Sequence, residues 1–152
     1  MSALKARIAD EMKAALLGRH RFRGDVLRSL KAAILNEEVS LGKRDEGLND
    51  AEVERVVARE VKKRKESAEL YRANGRAELA EPEEQEAAIL QEFLPKQLSE
   101  DEIRAMVEAA VVDLGATMQQ MGQVIGAVKT KAGNAADGAL IAKITKETLA
   151  KQ

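Results

Sequence analysis

Residues able to do covalent chemistry are scarce in this chain. Cysteine is absent and histidine occurs once, at His20. Thiol catalysis, disulfides, zinc fingers and iron–sulfur ligation are therefore excluded, and a serine–histidine relay or a His-rich metal site has almost nothing to work with. Ser2, Ser29, Ser40, Ser67 and Ser99 lie in no nucleophile elbow and no Gly/Ser-rich amidase-like loop. Neither a phosphate-binding GxxxxGK sequence followed by Ser or Thr nor a GxGxxG pattern occurs. The acidic pairs Glu83-Glu84 and Asp101-Glu102 fall in the first turns of predicted helices, where the helix dipole accounts for them. The residues predict no catalytic, cofactor-binding or metal-ligating set.

What remains is binding chemistry. Around REVKKRKE, residues 59–66, Arg55, Arg59, Lys62 and Lys63 point away from a valine stripe, but Glu52, Glu66 and Glu69 share their side. The spacing predicts an exposed helix laced with ion pairs. Glu60 and Arg64 fall within the apolar stripe, one turn apart, and predict a partly buried pair that fixes how another helix docks. Residues 121–149 are more unusual. Gly122 and Gly126 stand in GxxxG spacing inside a predicted helix, where each costs about 1 kcal/mol relative to Ala. Something must approach that backbone closely, either a neighbouring helix or an RNA backbone, since Lys129 and Lys131 follow. Gly133, Asn134 and Gly138 then make a turn ahead of a last helix whose free N–H groups could receive a phosphate. Lys143 and Lys146 lie on that helix. The candidate RNA-binding residues are Gly122, Gly126, Lys129, Lys131, Lys143 and Lys146. His20, in the basic turn GRHRFRG, is expected to be exposed or to cap a helix.

The elements that must position these residues are helical. The chain has 152 residues, 45% hydrophobic and 34% charged, so it can bury a core. Apolar spacing follows the helical period, with no sustained alternation, and predicts an all-α fold. Helices are expected over 2–18, 23–41, 50–73, from Pro82 to about Leu94, and over 100–114, 118–131 and 137–151. Asn49 with Glu52, Ser99 with Glu102 and Thr117 with Gln120 have capping-box spacing. Pro95 breaks the chain, and two helical subdomains are expected, 1–95 and 96–152.

Charge is uneven. Residues 1–35 carry eight bases against three acids, residues 66–108 four against twelve, and residues 121–152 five against two. The net charge is −1, so the whole molecule is no polyanion magnet. Three aromatic residues, Phe22, Tyr71 and Phe93, are too few for a base-stacking platform. No apolar run of membrane-spanning length occurs, and residues 1–13 lack the apolar stretch of a signal peptide, so a cytoplasmic location without membrane contact is the expectation.

LRSLKAAILNEE (27–38), EVKKRKESAELY (60–71), FLPKQLSEDEI (93–103) and MGQVIGAVKTK with its later ADG (121–138) resemble the GatB/YqeY family, in order over almost the whole chain. FLPKQLSEDE is the most specific piece, and the free-standing YqeY branch is the nearer likeness. The family usually has a glycine at the place of Asn134, whereas this chain has it at Gly133. Asn tolerates the left-handed conformation, so the turn is expected to survive. The related portion of the B subunit of glutamyl/aspartyl-tRNA amidotransferase is its C-terminal helical and tail region, which helps to hold tRNA. The kinase-like cradle that carries transamidation has no counterpart here. The resemblance thus implies a multihelical tRNA-associated module that is non-catalytic alone, without cofactor or metal. Its partners would be tRNA and a protein of the aminoacyl-tRNA pathway. Two alternatives stand beside it. One is a helical protein adaptor, using the acidic 66–108 region. The other is a contribution, within a complex, to carbon–nitrogen ligase activity with glutamine as amide donor.

Overall fold

A computed structural model describes residues 2–152. Seven α-helices and no strands occur among them, so the fold is all-α. They form two compact units, one ending at Leu94 and one running Pro95–Gln152.

The first unit holds α1 (Ala3–Leu17), α2 (Arg21–Ser40), α3 (Asp50–Ala73) and α4 (Ala77–Gln91). Its core joins Ile8 of α1, Leu27, Leu30 and Ile34 of α2, Val53 and Val57 of α3, Leu90 of α4, and Phe93 just after that helix. Burying such side chains contributes about 1.5–3 kcal/mol each. Ser2 caps α1 by accepting from the Lys5 N–H at 3.1 Å, and its hydroxyl donates to the Asp50 carboxylate. Asp50 also accepts from the Leu4 N–H at 3.2 Å, so the first residue of α3 secures the start of α1. Those two donors, the Ser2 hydroxyl foremost, hold the Asp50 carboxyl below its usual range. Asn49 and Glu52 form the expected capping box.

Two boundaries differ from expectation. Helix α2 begins at Arg21, not residue 23. Helix α4 begins at Ala77, so Pro82 lies inside it. The turn at Asn74 and Gly75 returns the chain directly against α3, and Ala80 is fully buried ahead of the proline. Pro82 is the sixth residue of α4, and its missing N–H forfeits only the bond to the Glu78 carbonyl.

The second unit holds α5 (Glu100–Leu114), a 3₁₀ turn (Met118–Gln120), α6 (Met121–Ala132), a second 3₁₀ turn (Gly133–Ala135) and α7 (Gly138–Ala150). The helix expected from residue 118 is thus a 3₁₀ turn leading into α6. The Thr117 N–H and hydroxyl both donate to Gln120 Oε1 at 2.8 Å and hold that tighter start. The core brings together Ile103 and Val107 of α5, Val124 and Val128 of α6, and Ile141 and Ile144 of α7. Ser99 and Glu102 form their capping box, with Glu102 N–H to Ser99 Oγ at 3.1 Å. The Leu98 N–H donates to the Ala135 carbonyl at 2.8 Å, and Gln97 Nε2 to the Asn134 carbonyl at 3.0 Å. The segment before α5 is therefore pinned to the α6–α7 turn. Gly133 takes the positive φ, +55°, and Asn134 does not, contrary to the expected left-handed asparagine. A bare glycine meets that conformation without a Cβ penalty, so nothing forces Asn134 into it.

Candidate nucleic-acid interface

Helix α6 presents two faces. Val124 and Val128 are buried against the core of the second unit, while Gly122 and Gly126 are exposed. A Cβ at either glycine would meet nothing within 4 Å. Of the two readings of GxxxG, close packing against a neighbouring helix of the same unit is overturned: among the described residues, no helix of the second unit covers these positions. The Thr130 hydroxyl donates to the Gly126 carbonyl at 2.9 Å, on the same open side.

Six residues were candidates, and the fold groups them unequally. Seven residues beyond Gly122, at nearly two full turns, Lys129 returns to the glycine side of α6. Its stem crosses the first residue of α7: a Cβ at Gly138 would lie 2.8 Å from Lys129 Cε and 3.1 Å from Nζ. Lys143 and Lys146, three apart, share the exposed side of α7 opposite buried Ile141 and Thr145. Lys131 lies half a turn round α6 from Gly122, so it adds charge but not to the glycine face. None of the four lysines forms an ion pair among the described residues. The two acids of this stretch are engaged: Asp137 caps α7, accepting from the Ala139 N–H at 3.4 Å, and Glu147 faces Arg104 at 3.9 Å. Gly122, Gly126 and Lys129 thus make an open stripe on α6, and the lysines of α6 and α7 are cations without an ion pair among the described residues.

The basic run on α3 behaves differently. Arg59 pairs with Glu37 at 2.9 Å and Lys63 with Glu60 at 3.2 Å. Arg64 approaches Glu60 at 3.3 Å and Glu86 of α4 at 3.3 Å, which fixes how α4 docks on α3. Arg59, Lys63 and Arg64 are thus occupied with the fold, and for them the ion-pair reading of α3 holds. His20 is exposed at the position before α2 and makes no side-chain capping bond.

Over residues 5–149 the chain matches the family model described as Yqey-like protein. It belongs to the YqeY-like family. No curated protein matches the chain. In this YqeY-like chain FLPKQLSEDE ends α4, pins the α6–α7 turn and caps α5, so its residues serve local structure. No helix is long and apolar enough to cross a membrane among the described residues.

Sequence reasoning passed over two residues of the first unit. Glu38, near the end of α2, is 1% exposed and salt-bridged to Lys5. Its signal was its place four residues beyond Ile34, in register with the apolar stripe. Gly24 is the glycine that does serve close helix packing, since a Cβ there would lie 2.5 Å from Leu16 Cδ2. It is a lone glycine, without a GxxxG pattern to draw notice.

Proposed function

We propose that this YqeY-like chain is a tRNA-associated binding module, non-catalytic alone, which grips RNA with the open side of α6 and α7. The observation that carries this reading is the uncovered backbone at Gly122 and Gly126, two helical glycines on which nothing of the second unit packs among the described residues. Each glycine costs helix stability and returns no internal contact. A ribose-phosphate backbone can use such a face, because it needs close approach rather than a pocket. Lys129 supplies charge beside it, and Lys131, Lys143 and Lys146 add to the positive field from the rest of α6 and from α7. All three aromatic residues lie before Pro95, so at this face phosphate and shape contacts carry the binding. The family resemblance to the tRNA-holding tail of the amidotransferase B subunit supports the same partner.

The test is titration of tRNA across a salt series. Each phosphate-contacting lysine contributes about −0.7 to −0.9 to the slope of log affinity against log salt. Changing Lys129, Lys131, Lys143 and Lys146 together to Gln is expected to weaken binding and flatten that slope, with the melting curve unchanged. Parent-like binding at every salt concentration would remove this face from the account and favour a protein-binding adaptor.

A further inference from the structure

A second set of unpaired cations surrounds the turn between α1 and α2. Lys13, Arg19 and Arg21 make no ion pair among the described residues. Glu11 is already taken by Arg7 and Arg23, at 2.6 and 2.8 Å, and Asp25 faces Arg28 at 3.8 Å. Two large apolar side chains stand in solvent among these cations: Leu17 is 86% exposed and Phe22 44%. The other phenylalanine, Phe93, is buried under the Arg7 guanidinium, 4.7 Å from its ring centre. Exposure is therefore particular to Phe22.

The backbone of the turn adds an independent observation. Arg19 has φ +62°, the only non-glycine residue with positive φ among those described. The His20 N–H donates to the Ala15 carbonyl at 2.8 Å, closing a helix end in which glycine is the usual left-handed residue. The glycine here sits one place earlier, at Gly18, where a Cβ would lie 3.2 Å from the His20 ring. An arginine thus holds the strained position, and its guanidinium makes no ion pair among the described residues.

We infer that the α1–α2 turn is a contact surface for single-stranded RNA, with Arg19 and Arg21 on phosphates and a base stacked on Phe22. Arginine forks match phosphate oxygens, and although three aromatic residues cannot build a platform for successive bases, one exposed ring flanked by cations can receive a single base. No acid lies in the first turn of α2, so the helix dipole adds to the positive potential. A flat anionic bilayer fits less well. The exposed Asp10 shares the Lys13–Leu17 face of α1, and the exposed Asp25 lies one turn beyond Arg21. Both would be pressed toward the headgroups, whereas a strand can thread the turn between them. This surface lies in the first unit, and its RNA contact does not depend on the α6–α7 face.

The test uses the full chain and a labelled, unstructured 12-nucleotide oligouridylate. Parent protein is expected to bind it with salt-dependent affinity. Changing Arg19 and Arg21 together to Gln should flatten the slope of log affinity against log salt by about 1.4, for two single-strand phosphate contacts. Phe22→Ala should lower affinity about tenfold or more, as loss of one stacked base does, with the slope retained. Arg19→Gly should raise the melting temperature by relieving the left-handed strain while it weakens binding. The quadruple Lys→Gln variant of α6 and α7 should keep the Phe22-dependent part of binding even if the α6–α7 reading fails. Absence of oligouridylate binding by the parent, or parent-like binding by the Arg and Phe variants, overturns the inference. So does Arg19- and Arg21-dependent sedimentation with phosphatidylserine vesicles in place of RNA binding.

Discussion

The Glu38 carboxylate, buried at the end of α2, accepts from the Lys5 ammonium of α1 at 2.7 Å. The same oxygen accepts from the Leu48 N–H at 3.1 Å. A Cβ at Gly47, where φ is +75°, would lie 3.3 Å from it, so the loop before α3 closes over the carboxylate only because that residue is glycine. One buried oxygen thus ties α1, α2 and the loop together.

Glu38 makes stability depend on pH. Burial works to raise its pKa, but the Lys5 hydrogen bond, the Leu48 amide and the Lys5 charge together prevail and lower it. Its contribution is then complete above the unfolded-state pKa, about 4.3, and is lost as pH falls through the folded value. Glu38→Gln is expected to cost about 1–3 kcal/mol at neutral pH and to shrink the fall in melting temperature between pH 5 and 3. An acid limb as steep as the parent's would show that Glu38 does not contribute to it.

Gly122→Ala and Gly126→Ala are expected to stabilise the second unit, each by up to about 1 kcal/mol, because the added methyl meets open space inside a helix. The same variants should weaken tRNA binding if the bare backbone is the contact. Thermal melts and titrations on the same samples check both halves. Unchanged binding in a stabilised protein would count against the glycine face.

Gly24→Ala should behave oppositely, although it too replaces a helical glycine. Its methyl would crowd Leu16, with Cδ2 at 2.5 Å and Cγ at 2.9 Å. Overpacking costs about 1–3 kcal/mol, which outweighs the gain in helix propensity. In a Leu16→Ala background the cost of Gly24→Ala is expected to vanish, and a double-mutant cycle measures this directly.

Ser99→Ala should destabilise the second unit by roughly 1 kcal/mol through loss of the α5 cap. Denaturant midpoints of variant and parent check it. Coincident midpoints would mean that the 3.1 Å Glu102 N–H bond contributes nothing net.

The sequence by itself determined the helical class, most helix ends and the capping boxes at Asn49 and Ser99. These depend on local propensity and on side chains reaching three residues along the chain. The Glu60–Arg64 pair was legible for the same reason, since one turn of a helix brings both onto the apolar stripe. Tertiary structure alone decided which glycines are covered. Gly24 is buried under Leu16 while Gly122 and Gly126 stand open, the reverse of what the GxxxG spacing suggests, because the covering atoms come from another helix or from none. The partners of Glu38, 33 and 10 residues away, are likewise set by how helices and loop pack. So is the place of Pro82 inside α4, where the packing of α4 against α3, with Ala80 fully buried, outweighs the loss of one backbone hydrogen bond.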